Sequence, residues 1–178
     1  MMAVTVSPES VTDLFRASMR IMAASVSLIT TRDRAGAFHG MAVTSATSLC
    51  MSPPSMLVAV NRSASIHPII SDTGKFCLNL MGESHFELLE CFSRSELRDR
   101  RFAQEHWHEG PDGLPILRGA LASQVCTVEA AQDYGTHTIF IGKVDHVLLP
   151  AATEERVAPL LWMNGSRTSL ANGQSTKS

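Results

Sequence analysis

Residues 38–65 read FHGMAVTSATSLCMSPPSMLVAVNRSAS. The segment opens on FHGMAVTS, a strand by its mix of apolar and β-branched residues. SPP at 52–54 then breaks the chain. MLVAV at 56–60 is short and continuously apolar, the pattern of a strand covered on both faces. Upstream, SVSLITT (25–31) is rich in β-branched residues and reaches FHGMAVTS through the charged, glycine-containing turn RDRAG, which predicts a hairpin. Downstream, FCLNL (76–80) alternates, and LASQVCTVEAA (121–131) and HTIFIGKVDHVLL (137–149) are two further strands joined by QDYGT. Parallel strands would need a crossover helix between each pair, and that rhythm is missing. Six or more strands with two or three short helices predict a mainly β chain, an antiparallel barrel carrying a few helices.

The helices announce themselves by period and caps. SPES at 7–10 starts one, with Ser7 as the cap and Pro8 in the first turn, and Val11, Leu14, Phe15, Met19 and Met22 recur at helical spacing up to a stop before Ser25. NRSASIHPIISDTGK (61–75) reads as a loop, a turn or two of helix and a stop at Gly74. Ser84 and Glu87 form an S-x-x-E capping box before Phe86, Leu88, Leu89 and Phe92. Residues 93–118 make a long charged excursion that ends rich in Gly and Pro. After Gly165 the chain SRTSLANGQSTKS has too little apolar content to pack. The expected layout is one domain over 1–165 and a polar, disordered tail over 166–178.

Composition narrows the function. At 178 residues the chain suits one domain, and 44% apolar against 18% charged residues is low in charge for a lone soluble monomer, so an oligomer is expected. A net charge of −2 argues against a nucleic-acid binder. No run of about 18 apolar residues exists to span a membrane. MMAVTVSPESV lacks the basic start and apolar core of a secretory signal, which makes the cytoplasm the default. Cys50, Cys77, Cys91 and Cys126 include no C-x-x-C pair and sit in apolar runs, so they read as buried, reduced side chains. His106 and His108 are the one tight histidine pair, but two ligands alone are not a metal site, and none is assigned. G-x-G-x-x-G, the P-loop and G-x-S-x-G are all absent.

What remains is a set of hydroxyls. Thr44, Ser45, Thr47 and Ser48 precede the apolar strand, and Asn61, Ser63 and Ser65 follow it. Such groups, with neighbouring backbone N–H, hold a phosphate or a heterocycle edge, although Ser and Thr also fill turns. Gly40 allows close approach of a backbone to a ligand.

In this order and spacing, FRASMRIMAASVSLITT, GMAVTSATSLCMSPPSMLVAV, NRSAS, GKFCLNLM, the RF and W of 101–107, GLPILRGALASQVCTV, YGTHTIFIGKV and PLLWMNG resemble the flavin reductase family over about residues 12–166. These are the small NAD(P)H-dependent partners of two-component flavin monooxygenases. The resemblance implies an FMN-binding split β-barrel, Greek-key-like, and a homodimer. It implies FMN or FAD as cofactor, NADH or NADPH as hydride donor, and a monooxygenase component that receives the reduced flavin. Carried over residue by residue, it places flavin against Phe38, His39, Gly40, Met41, Ala42, Thr44 and Ser45. A second segment is Ala59, Val60 and Asn61, with Ser63, Ser65 and Ile66 on the phosphate side. It places the nicotinamide at Gly135, Thr136 and His137, with His137 as the catalytic residue. Arg62 reads either as a phosphate contact or as a solvated charge. Otherwise the phosphate would be held by hydroxyls and amides rather than by an arginine cluster, which suits a flavin that is exchanged. Three segments depart from the family pattern: Thr136, where Asp is common; Ser166 and Arg167, where a Tyr often follows the glycine; and Ala24–Ser25, where Thr-Gly is favoured. The departures at Thr136 and Arg167 keep a non-catalytic flavin-binding barrel as the alternative.

Overall fold

The computed structural model describes residues 8–150 and 158–170. Seven strands make its main sheet: β2 (Ser27–Arg32), β3 (Phe38–Val43), β4 (Ala46–Met51), β5 (Pro54–Asn61), β6 (Lys75–Leu80), β9 (Ala122–Tyr134) and β10 (His137–Leu148). Their order is β3-β2-β6-β9-β10-β5-β4, and every neighbouring pair is antiparallel. The two edge strands are β3 and β4, yet only Thr44 and Ser45 separate them in sequence. Three residue steps span at most about 11 Å. The sheet therefore curls until its edges meet, which gives a barrel with one seam. The jump from β5 over β10 and β9 to β6 gives the Greek-key character.

The interior is filled by Ile29, Val43, Val58, Val60, Phe76, Leu78, Cys126 and Phe140. The short helix α2 (His67–Thr73) plugs one end with Ile66 and Ile70, both essentially inaccessible. Gly74 ends α2 at φ 66°, its N–H bonded to the Ile70 carbonyl, so the expected stop is where the chain needs a left-handed residue. Outside the barrel, α3 (Phe86–Ser93) and the excursion cover Val26, Leu28 and Met81 with Leu88, Leu89, Phe92, Trp107 and Leu117. Within the excursion β7 (Trp107–Glu109) and β8 (Pro115–Leu117) form a small hairpin. Asn79, fully buried, pins it down. Its Oδ1 accepts the Leu117 N–H at 2.9 Å and the Ser123 hydroxyl at 2.8 Å, while its Nδ2 donates to the Leu28 carbonyl and Thr30 Oγ1. A buried amide with all these bonds made is specific about what may sit above it.

Several expectations change. Helix α1 (Pro8–Arg20) stops before Met22, its proposed cap Ser7 lies outside the described residues, and Val11, Leu14, Phe15 and Met19 on it are all exposed. Ala46–Met51 forms β4, a strand the hydroxyl-rich sequence does not announce, because almost every side chain on it is exposed and no apolar alternation is needed. Cys50 lies on that edge and is exposed, against the expectation of burial. Cys77 and Cys126 are buried, and burial pushes the Cys126 thiol up to about 12 and raises that of Cys77 as well. β5 buries Val58 and Val60 inside the barrel, whereas Leu57 and Ala59 on its outer face are only half-buried. The β9–β10 ladder runs on through Tyr134, leaving Gly135–Thr136 as a two-residue turn rather than QDYGT. The S-x-x-E box does not form. His85 Nδ1 accepts the Gly82 N–H at 3.1 Å, and a 3₁₀ turn over Glu83–His85 leads into α3 instead.

The expected boundary at 165 also moves. β1 (Ala24–Ser25), β11 (Leu161–Met163) and β12 (Ser166–Thr168) form a second sheet, so three residues assigned to the tail are paired strand. Asn164 and Gly165, at φ 52° and 76°, make the tight turn. An Asn-Gly turn is a hairpin signal with positive φ at both positions, but the polar residues after it carry no alternation to mark a second strand. Arg20 seals the hairpin onto α1. Its guanidinium donates to Asn164 Oδ1 and to the Asn164 carbonyl, each at 3.2 Å, and the Asn164 N–H returns to the Arg20 carbonyl.

Candidate flavin site at the barrel seam

The seam is where the sheet leaves its own backbone groups unpaired. β3 has β2 on one side and no strand on the other. β5 is paired with β4 only as far as Val58 opposite Ala46; beyond that, Ala59–Asn61 keep β10 on one side and have no strand on the other. Extending the register past Ala46 and Val58 sets residues 59–61 antiparallel to residues 45–43, before the chain turns at Arg62. Two observations hold the chain on that course. At one end the Ser45 hydroxyl donates to the Ala59 carbonyl at 2.8 Å. At the other end Phe38, His39, Gly40 and Ser65 line one cleft. The two segments named from the sequence therefore face each other across a gap bordered by free strand edges and hydroxyls. A polar heterocycle edge is satisfied by that set of donors and acceptors, and buried backbone groups left without partners would be costly.

Side-chain direction sorts the expected contacts. Alternate residues of a strand point to opposite faces. Met41 and Val43 pack on the barrel interior, as do Val60 and Ile66, so these residues offer only backbone to the seam. Phe38 and Ala42 turn outward, Phe38 against Phe102 at 5.7 Å between ring centroids and Ala42 against the cluster under α3. Gly40 is required by packing. A Cβ there would lie 2.9 Å from Phe92 Cε1 and 3.1 Å from Phe102 Cζ. His39 is paired with Asp33 at 2.8 Å, and that bond, with the Ala37 N–H, holds the Asp33 carboxyl below its ordinary range. Asn61 Oδ1 accepts both the N–H and the hydroxyl of Ser63, at 2.9 and 2.8 Å, which sets the turn leading to Ser65. Thr44, at the other end of the seam, borders a separate cleft with Arg16, Met19, Met22, Trp162 and Gly165.

The Gly135–Thr136–His137 turn abuts the seam through β5. His137, exposed at the start of β10, stands opposite Asn61 in the ladder. Gly135 is at φ 55° with open space around it. Thr136 Oγ1 lies 2.9 Å from His137 Nδ1. The hydroxyl thus orients the ring, as a carboxylate would, without adding a charge. Arg62 is tied into the same turn. Its Nη2 donates to the Gly135 carbonyl at 2.6 Å, its backbone N–H donates to the Thr136 carbonyl at 2.9 Å, and its Nη1 stands 3.6 Å from Asp133. It clamps this turn to the end of β5. Behind the turn, buried Thr138 donates to Asp133 and accepts from His67 Nε2 at 2.7 Å, tying α2 to the same hairpin.

Arg98 and Arg101 are what sequence reasoning misses. Both line the cleft with Phe38, His39, Gly40, Ser65 and Phe102. A 3₁₀ turn over Ser95–Arg100 has three residues per turn, which brings side chains three apart to one side. The i, i+3 spacing is the available signal, masked by the surrounding run of charges. Arg167, which replaces the expected aromatic, lies with its guanidinium 4.7 Å from the Phe86 ring centroid and so turns toward α3. Among the described residues no group of three His, Cys, Asp or Glu side chains comes together to hold a metal, and none of the helices is long and apolar enough to cross a membrane.

Comparison with known proteins agrees with this architecture. The family model described as "Flavin reductase like domain" matches residues 19–171. The reductase component of the FADH(2)-dependent resorcinol hydroxylase of Rhizobium sp. is 36% identical over 161 residues, 89% of this chain and 87% of its own length. The FMN reductase (NADH) RutF of Stutzerimonas stutzeri is 35% identical over 130 residues, 73% of this chain and 74% of its own. Nitrilotriacetate monooxygenase component B from Mycobacterium thermoresistibile superposes with a TM-score of 0.86 at 27% identity, covering 97% of this chain and 93% of that one. With an open seam in an antiparallel barrel, a histidine turn at its end and a match over most of its length, the chain belongs to the flavin reductase-like domain family.

Proposed function

We propose that the chain is an NAD(P)H:flavin oxidoreductase that reduces FMN or FAD and supplies the reduced flavin to a separate monooxygenase component. The observation that carries this reading is the seam: two strand edges that no other strand pairs, bordered by Ser45, Asn61 and Ser65, with the His137 turn at its end. These residues fit a flavin, because the edge of β3 that no strand pairs matches the heterocycle edge and hydroxyls match the phosphate side. A flavin held by the seam would supply the ring that accepts hydride from a nicotinamide donor. The chain's own work is to bind and orient. Backbone N–H groups of the seam favour the negative charge that develops on the reduced ring. His137, steadied by Thr136, orients the nicotinamide nucleotide. Arg62 keeps that turn against β5, so the two binding segments hold a constant separation, as hydride transfer demands. No protein nucleophile is called for.

The relatives are named as reductase components of two-component hydroxylases or as an FMN reductase using NADH, which supports a nicotinamide donor and an oxygenase partner for this chain. The purified protein with NADH or NADPH and free FMN or FAD should lose absorbance at 340 nm in a flavin-dependent manner. Silence with both nucleotides and both flavins overturns the reading in favour of a non-catalytic flavin-binding barrel.

A second copy of the chain is the partner that the exposed apolar groups support. Val11, Leu14, Phe15 and Met19 of α1 and Leu49 and Met51 of β4 are uncovered in the single chain, and Leu57 and Ala59 behind the seam are only half-buried. Light scattering is expected to return the mass of two chains; a one-chain mass at micromolar concentration removes the dimer.

A further inference from the structure

We infer that Arg98 is the ionic anchor for the phosphate of the flavin nucleotide, at the Phe38–Ser65 end of the seam. This rests on the reading that the seam holds flavin. The cleft there holds about 50 Å³, far less than the roughly 300–1,000 Å³ that encloses a whole ligand. It therefore takes one end of a molecule that continues along the seam. Its walls name that end. Ser65 lines it with Arg98 and Arg101. The arginines are not equivalent. Arg101 is already committed: its Nε donates to the Cys91 carbonyl at 2.7 Å, its Nη2 reaches the Arg94 carbonyl, and the group lies over the Phe92 ring. Burial and the neighbouring Arg98 charge both push the pKa of Arg101 down. Arg98 is exposed and, among the described residues, has no carboxylate partner. Asp33, just before β3, is occupied by His39 and the Ala37 N–H. Two like charges line one cleft, and a phosphate with its acceptor oxygens suits them.

The chemistry predicts discrimination by the phosphate itself. Riboflavin, FMN and FAD share the ring system, and riboflavin lacks the phosphate. In Arg98→Gln the preference for FMN over riboflavin, taken as the ratio of apparent KM values in NADH oxidation and of Kd values from quenching of flavin fluorescence, should fall roughly tenfold, the scale of one charge-assisted hydrogen bond. Arg98→Lys should recover part of it, since a point charge still attracts the phosphate. The KM for NADH should move less than that for FMN, which separates flavin phosphate from the phosphates of the dinucleotide. An unchanged FMN-to-riboflavin ratio overturns the assignment, and so does a change confined to NADH. Loss of the binding ratio in a protein that oxidises no NADH with any flavin would sustain the anchor while sinking the reductase reading.

Discussion

The β9–β10 hairpin and the seam between β3 and β5 belong to one barrel and differ in where their backbone hydrogen bonds go. Along the hairpin the register continues from Ser123–Leu148 to Tyr134–His137, with two irregularities, and β10 is paired again with β5 on its other edge. At the seam two strands approach and do not pair. A fully paired ladder answers its own polar groups and contributes rigidity. An unpaired edge must be answered by something else, and proteins ordinarily cover or blunt such edges. Here the edges border the hydroxyls and arginines, and the rigid hairpin delivers the His137 turn to the end of the gap. One region is built to be invariant so that the other can stay open.

That contrast can be broken by substitutions that cost stability in one region and binding in the other. Gly142→Ala acts on the ladder. Its Cβ would meet Phe76 Cζ at 2.5 Å and Cys126 Cβ at 2.9 Å inside a packed barrel. A loss of about 1–3 kcal/mol is expected in denaturant unfolding, with the flavin KM of the folded protein unmoved. A shifted KM at wild-type stability would mean that the two regions are not separable. His137→Ala comes next: the apparent KM for NADH should rise about tenfold, the scale of one lost hydrogen bond to a charged or polar group, and far more than flavin binding weakens. Unchanged NADH kinetics would remove His137 from the site. Arg62→Ala should give the same signature on a smaller scale, roughly threefold, because the side chain is half-exposed and the backbone bond to Thr136 survives the change. If Arg62→Ala were to disturb flavin and leave NADH alone, the clamp would belong to the other side of the seam.

The strands that cover the core are legible in the residues themselves, because alternation and β-branched content report burial directly. β2, β3, β6, β9 and β10 all show themselves this way. The elements that stay hidden have a common cause. β4, the Gln132–Tyr134 end of β9 and β12 are strands by pairing, not by burial, and their side chains are largely exposed. Sequence period carries no trace of a neighbour's backbone. The site divides along the same line. Resemblance places Phe38–Ser45 and Ala59–Ile66, and the fold brings them face to face. Arg98 and Arg101 lie some thirty residues beyond them in a run of charges, and the role of Arg62 depends on the Gly135 carbonyl, seventy-three residues away.

Composition, period and motif order are enough for a mainly β, antiparallel chain of the flavin reductase type with two contact segments flanking MLVAV and a histidine turn, since each of these is written in local residue choice. Tertiary structure alone decides that the barrel stays open between β3 and β5, that Gly40 serves packing, that Thr136 and Arg62 hold the His137 turn, and that two arginines stand at the far end of the gap. Those are relations between segments distant in sequence, and they exist only once the curled sheet has brought its two edges within three residues of each other.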